Sequence, residues 1–239
     1  DVRAIIEDVT ADPGSDPDAQ RVGSLYAAFM DVDAVDAAGV VPLRPLLDEV
    51  ETVTDASTLA AALGRLGRLG ITGTIAPFVN TDDGKPEEYV VYLEQDGLGL
   101  PDESYYREDK FAEIREKYVA HVAKMLELAG FEDAAEQAQA VMELETRIAA
   151  QHWDKVTVRD LTKMYNPMGF AELTDQVSRL DWDAVLEGMG LTPEHLSTVI
   201  NAQPSFFTGL DELLTDDLLD AWKSWARWHV VSARAAYLP

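Results

Sequence analysis

The chain reads as a mainly α protein, a multi-helix lobe with one small β-hairpin over about residues 73–95. Two observations predict this. Apolar residues recur at three- and four-residue steps through most of the 239 residues, the spacing that puts them on one helix face. That period breaks between Gly73 and Gln95, where two short β-branched and aromatic runs flank a cluster of turn formers. Hydrophobic content of 47% with 26% charged residues is ordinary for a globular protein large enough to bury a core. No low-complexity linker and no 20–50-residue repeat interrupts it, so residues 1–239 are expected to form a single helical domain.

A first helix, about Val2 to Val9, stops at the turn formers Asp12-Pro13-Gly14-Ser15. A second, Asp18 to Val32, carries Val22, Leu25, Tyr26, Phe29 and Met30 on one side. A third runs from Leu43 or Pro45 to about Val50, and a fourth from Thr58 to about Gly67 with Asp55 and Ser57 as candidate N-caps. Gly73–Asn80 and Tyr89–Glu94 then form the hairpin, joined by a long loop, Thr81 to Pro86. Pro77 cannot donate to a ladder, so its strand belongs at a sheet edge.

After Pro101 the helical period returns, with a stripe of Phe111, Ile114, Tyr118, Val122 and Met125 closed by Gly130. Asp133–His152 aligns Ala134, Ala138, Val141 and Ile148. Shorter helices follow at Phe170–Leu180, Asp183–Met189 and Pro193–Asn201, the last started by Thr192-Pro193. Asp211 and Thr215 can each cap a further helix, and the final one places Leu218, Trp222, Trp225 and His229 on one face.

Nineteen basic against 44 acidic residues give a net charge of −25, which repels nucleic-acid backbones and anionic lipid. An acidic, solubilising surface accounts for it most simply. There is no Cys, hence neither disulfide nor thiolate metal site. These residues contain no signal peptide and no apolar run near the ~20 residues of a membrane span. Asp1 in place of Met points to processing, truncation or a designed length, and the compartment stays open between cytoplasm and export.

No catalytic or metal residue is assigned, and substrate-binding residues stay unknown. His121, His152, His195 and His229 are too far apart for a two-histidine helical turn, and none has Glu three residues before it. His121 and His229 read as packing histidines. Glu143 and Glu145 point to different sides of a helix, so ion pairing with Arg147 or nearby cations is expected rather than a dyad. Asp82-Asp83-Gly84 lacks an oxygen ligand at the first position of a calcium loop and reads as a solvated tip. Asp31, Asp33 and Asp36 read as a helix end meeting water. Gly64, Gly67, Gly70 and Gly73 match no phosphate loop and are expected to end a helix and open the hairpin. Trp222, Trp225 and Trp228 read as packing before a ligand platform.

One stretch goes further. Gln95 is followed by Gly97-Leu98-Gly99-Leu100-Pro101 and the pair Tyr105-Tyr106. In the same order lie Leu25-Tyr26, Val41–Leu47, Phe78–Asp82, Met142–Ala149, Arg159-Asp160, Tyr165-Asn166-Pro167-Met168 and the Leu218–Arg234 tail. Together these resemble the N-terminal region of the neprilysin-like zinc endopeptidases, peptidase family M13. The resemblance implies the non-catalytic helical lobe of a bacterial two-lobe enzyme, covering the active-site chamber and limiting substrates to small peptides. Zinc, its ligands and the general base would belong to the C-terminal catalytic lobe, which with the peptide substrates would be this region's partner, so residues 1–239 alone are expected to be inactive. It further implies an exposed apolar or mixed face near the hairpin and the final Trp-bearing helix. Two other readings stay open: an autonomous helical protein-binding module, and an enzyme with an unfamiliar carboxylate site.

Overall fold

The computed structural model describes residues 1–71 and 73–239. The chain divides into two compact units, Asp1–Arg44 with Arg234–Pro239, and Pro45–Ala233.

Unit 1 holds α1 (Val2–Ala11), α2 (Pro17–Met30) and α3 (Val32–Ala38), then a 3-10 turn at Val41–Leu43. The helix expected to run through Val32 is split at Asp31, whose side chain accepts from the Ala34 amide at 3.1 Å. A short acidic side chain that competes for backbone N–H groups favours such a cap over continuing the helix. Asp31 is thus a helix start as well as a helix end. α1 and α2 meet at Gly23, where a Cβ would lie 2.7 Å from the Val9 carbonyl oxygen.

Unit 2 is built from α4 (Arg44–Glu51) onwards, and α5 (Ala56–Arg68) follows. Of the two candidate caps, Asp55 performs the role: it accepts from the Thr58 amide at 2.8 Å, and the Thr58 hydroxyl accepts from the Asp55 amide at 3.0 Å. The hairpin is β1 (Ile75–Asp82) and β2 (Lys85–Gln95). The loop is shorter than expected, because Asp82 already pairs with Lys85 across an irregularity that follows Thr81–Tyr89. Asp82 closes the turn itself: its carboxylate accepts from the Gly84 amide at 2.8 Å and the Lys85 amide at 3.2 Å.

The chain continues through α6 (Ser104–Arg107), α7 (Ala112–Leu128), α8 (Ala134–Ala149), α9 (Leu161–Met164), β3 (Pro167–Gly169), α10 (Phe170–Gln176) and α11 (Trp182–Met189). It ends through β4 (Thr198–Asn201), α12 (Pro204–Asp211) and α13 (Leu219–Arg234). The architecture is mainly α, as the periodicity predicts, and the hairpin grows into a four-stranded sheet of order β1-β2-β4-β3. β1 with Pro77 is indeed an edge strand.

β4 overturns part of an expected helix. Pro193–Leu196 is a single 3-10 turn, after which Val199 and Ile200 pair in parallel with Val91 and Tyr92 of β2. Thr198-Val199-Ile200 is a β-branched run that suits a pleated slot better than a helix. Asp211 is corrected too: it ends α12, and its carboxylate accepts from the Arg179 amide at 2.6 Å. Gly64 does not end α5 but lies within it against α11, where a Cβ would run into the Val185 carbonyl.

The core of unit 2 is aromatic and aliphatic. Tyr118, Val122 and Leu126 of α7 are buried, together with Ala134, Ala138, Val141 and Ile148 of α8. All three tryptophans of α13 are buried as well, which supports packing over a ligand platform. The hairpin does present apolar surface, with Val79 67% and Tyr89 81% exposed. Among the described residues, no helix is long and apolar enough to cross a membrane.

Candidate functional site

The densest set of buried polar groups surrounds the turn between β2 and α6. Gly97 has φ +97°, a conformation that a side chain would strain, and a Cβ there would also crowd Thr74. Gly99 is needed for a different reason: a Cβ would collide with the Tyr118 hydroxyl. The glycines therefore let the backbone approach a tyrosine that is committed elsewhere.

That commitment is to Glu145 of α8, which is completely buried. Tyr106 donates its hydroxyl to one Glu145 oxygen at 2.7 Å, and Tyr118 donates to the other at 3.0 Å. Each phenol accepts in turn: Tyr106 from the Leu100 amide at 2.9 Å, Tyr118 from the Trp228 indole at 2.8 Å. Burial, and then the adjacent Glu145, push both phenols up, so they remain protonated donors. Trp225 donates its indole N–H to the Gly97 carbonyl at 3.1 Å. One carboxyl group thus ties the turn, α6, α7 and α13 together. Pairing of Glu145 with Arg147 does not occur, because Glu145 faces the core.

A second set anchors the strand end. Gln95 accepts from the Trp153 amide at 2.8 Å and donates to the Trp153 carbonyl at 3.0 Å, while its own amide donates to Gln203 at 2.8 Å. His152 lies 3.1 Å from the Asp96 carbonyl through Nε2 and packs edge-on to Phe206. Burial lowers its pKa to about 4, against the partly offsetting carbonyl contact. Burial raises the pKa of Asp96, and the Gly97 amide and His229 pull it back. Beside this set lies a cleft of about 310 Å³ lined by Glu103, Arg107, His152, Trp153, Asp154 and Thr157.

The four histidines stay apart in function. His229 stacks on Trp225 at 3.9 Å, and its Nε2 lies 3.6 Å from Glu145 without a hydrogen-bond partner. His121 is exposed, edge-on to Trp228. His195 closes a capping box with Thr192. Among the described residues, no three His, Asp or Glu side chains gather so as to hold a metal ion, so these residues do not fit a zinc centre. Asp82 corrects another expectation: it is 3% exposed rather than solvated, and it accepts from the Tyr165 hydroxyl at 2.8 Å. Sequence reasoning singles out Tyr106, Tyr165, Glu145 and Asp82 separately but not their pairing, which spans 39 residues for Tyr106 with Glu145 and 83 for Tyr165 with Asp82.

The Gly97–Pro101 turn, its tyrosines and the whole length around them match one family. The family model described as Peptidase family M13 covers residues 1–239. The chain belongs to peptidase family M13. It is similar in fold to part of the Mycobacterium tuberculosis zinc metalloprotease Zmp1. Against the open state of that protein it is 38% identical with a TM-score of 0.94, covering 99% of this chain and 37% of the other. Against the inhibitor complex the values are 39%, 0.95, 99% and 37%. PepO from Lactobacillus rhamnosis HN001, at 20% identity and TM-score 0.80 over 99% of this chain and 38% of the other, shares the fold. Endothelin-converting enzyme-like 1 of Mus musculus is 28% identical over 114 residues, 46% of this chain and 15% of that protein. The chain therefore corresponds to the N-terminal region of M13 metallopeptidases and spans 37% of the Zmp1 chains and 15% of that curated relative.

Proposed function

We propose that residues 1–239 form the non-catalytic lobe of an M13 zinc metalloendopeptidase, which covers the chamber where peptides are cut and admits only those small enough to enter. The observation that carries this reading is the end-to-end match, at 38% identity, to 37% of a zinc metalloprotease chain. Among the described residues, no three His, Asp or Glu side chains gather so as to hold a metal ion. Zinc, the activated water and the general base are therefore assigned to the remaining part of the polypeptide, and this lobe contributes shape and closure. The rigid Glu145 hub suits that task, because a lid that moves as a body needs internal bonds that do not yield when it swings. An acidic surface of net charge −25 would favour the approach of basic peptides.

The test is direct. Residues 1–239 with added zinc are expected to leave a short fluorogenic peptide intact, whereas the whole polypeptide cleaves it and cleaves progressively longer peptides more slowly. Turnover by residues 1–239 alone contradicts the assignment. Cleavage of folded proteins as fast as of short peptides removes the size-selecting role.

A further inference from the structure

The bonds of the Glu145 hub leave one ionisable ring beside it unused. Nε2 of His229 on α13 is buried without a hydrogen-bond partner, 3.6 Å from the Glu145 oxygen that accepts from Tyr118. The ring stacks on Trp225, with centroids 3.9 Å apart and planes tilted by 33°. Proton positions around Glu145 follow from its partners. The Leu100 amide and the Trp228 indole can only donate, so each phenol accepts there and turns its single proton to the carboxyl group. Both Glu145 oxygens thus act as acceptors. Any proton between Glu145 and His229 sits on the imidazole, the more basic of the two. Glu145 is therefore an anion, and it is completely buried.

A buried anion is costly unless an opposite charge balances it. The groups that face His229 leave one source for that charge. α8 supplies Glu145, α6 and α7 supply the protonated phenols of Tyr106 and Tyr118, and the turn after β2 supplies Asp96. On α13 itself, Lys223 reaches the Val53 carbonyl, and Arg227 reaches Glu51 and Gln137. Among the described residues, His229 is the only basic group within 4.0 Å of Glu145. The indole face of Trp225 beneath the ring attracts a cation as well. We infer that His229 carries the counter-charge of Glu145 and that its proton is a latch, drawing α13 onto the hub when present and loosening the Gly97–Pro101 turn when lost. Trp225 makes the connection, since it stacks on His229 and donates to the Gly97 carbonyl at 3.1 Å. Unit 2 then stiffens in mild acid and softens in alkali. A histidine that gains a partner on folding contributes fully below about pH 6.5, the ordinary imidazole value. That contribution is lost as rising pH removes the proton from the folded form. Nothing in this latch depends on the lobe assignment.

Nitrogen NMR of the whole polypeptide, labelled at histidine, reads the proton directly. A charged ring has both nitrogens protonated, each neutral tautomer has one, and His229→Gln identifies the resonance by removing it. Hydrogen exchange followed by mass spectrometry, corrected for the intrinsic pH dependence of amide exchange, reports on the 96–101 segment and on α13. His229 is expected to be charged at about pH 7. Loss of its proton in alkali should bring a roughly tenfold fall in protection of both segments, and His229→Gln should show no such fall. A ring that is already neutral at about pH 6 overturns the inference. So does a ring that loses its proton while protection stays constant, or a fall in protection that persists in His229→Gln. Should that variant fail to fold, Trp225→Phe identifies the resonance by shifting the stacked ring, and the titration and exchange of the parent then decide between the same outcomes.

Discussion

The two units solve the burial problem in opposite ways. Among the described residues, unit 1 contributes roughly a fifth of the chain but nine of the seventeen exposed large apolar side chains, and Leu43 is its sole buried apolar side chain. Unit 2 buries Trp222, Trp225, Phe206 and Phe207 almost completely and links its elements through Glu145. Helices with the same period and the same caps thus carry very different tertiary support. In proteins most helical stability comes from packing one face, so the units should differ in how strongly a lost side chain is felt. Unit 2 is built as a self-sufficient body and unit 1 as a surface.

The largest expected effect tests that difference. Trp225→Ala removes a side chain that is 1% exposed together with its bond to the Gly97 carbonyl, and should cost about 3–5 kcal/mol in urea unfolding of residues 1–239. Leu25→Ala, at a position 74% exposed, should stay within about 0.5 kcal/mol. All five tryptophans lie in unit 2, so their fluorescence follows that unit while far-UV circular dichroism follows both. Comparable losses from the two substitutions would erase the contrast.

A pH series should come next in size. His152 has a pKa of about 4 when folded, below its ordinary value of 6.5, because burial disfavours the charged ring. The unfolded chain then binds the extra proton first as pH falls. Stability from this group is complete above about 6.5, declines as pH drops toward 4, and is flat below; the loss is on the order of 3 kcal/mol. Glu94 and Asp96, both raised by burial, act in the opposite direction, so the difference between the parent and His152→Gln isolates the histidine. A slope that survives the substitution would assign the effect elsewhere in the unit.

Replacing Glu145 by Gln keeps the volume but replaces one acceptor oxygen with an amide NH2, which donates and cannot accept from a tyrosine hydroxyl. The expected cost is about 1.5–3 kcal/mol, with the Gly97–Pro101 turn loosened in amide exchange. An unchanged exchange pattern would show that the turn is held by its glycines and Trp225 alone.

How much of this could be read beforehand follows physical range. Signals carried by neighbouring residues are legible: the stripe of α8, Tyr118 and Val122 of the α7 stripe though not its Ile114, which is 39% exposed, the Asp55 cap, the edge strand at Pro77, and the return of helix after Pro101. Partners set by tertiary contact are not. Glu145 looked like a surface residue because its helix neighbours are Glu143 and Arg147, and only folding brings Tyr106 and Tyr118 to it. Thr198–Asn201 followed a sound helix-start signal, and only the vacant slot beside β2 makes it a strand. Asp82 looked like a hairpin tip until Tyr165 reached it from 83 residues away. The stripe on α2 is apolar and one-sided in the sequence, yet no local signal says whether such a face is covered within the same 239 residues.

The smallest effect compares like with like. Asp16 and Asp181 are both N-caps of helices, accepting from the Asp18 amide at 2.9 Å and the Ala184 amide at 3.0 Å. Asp181 also accepts from the Ser57 hydroxyl at 2.5 Å, which joins α11 to α5 within unit 2. Asp181→Ala should therefore cost about 1 kcal/mol and shift the tryptophan transition, because the helix it caps is part of a shared core. Asp16→Ala removes the same kind of bond, but its helix buries only Gly23, so the loss should appear as local fraying of α2 in amide exchange with the tryptophan transition unmoved. If Asp16→Ala shifts that transition as far as Asp181→Ala does, the two units unfold as one, and the independence drawn from their packing is wrong.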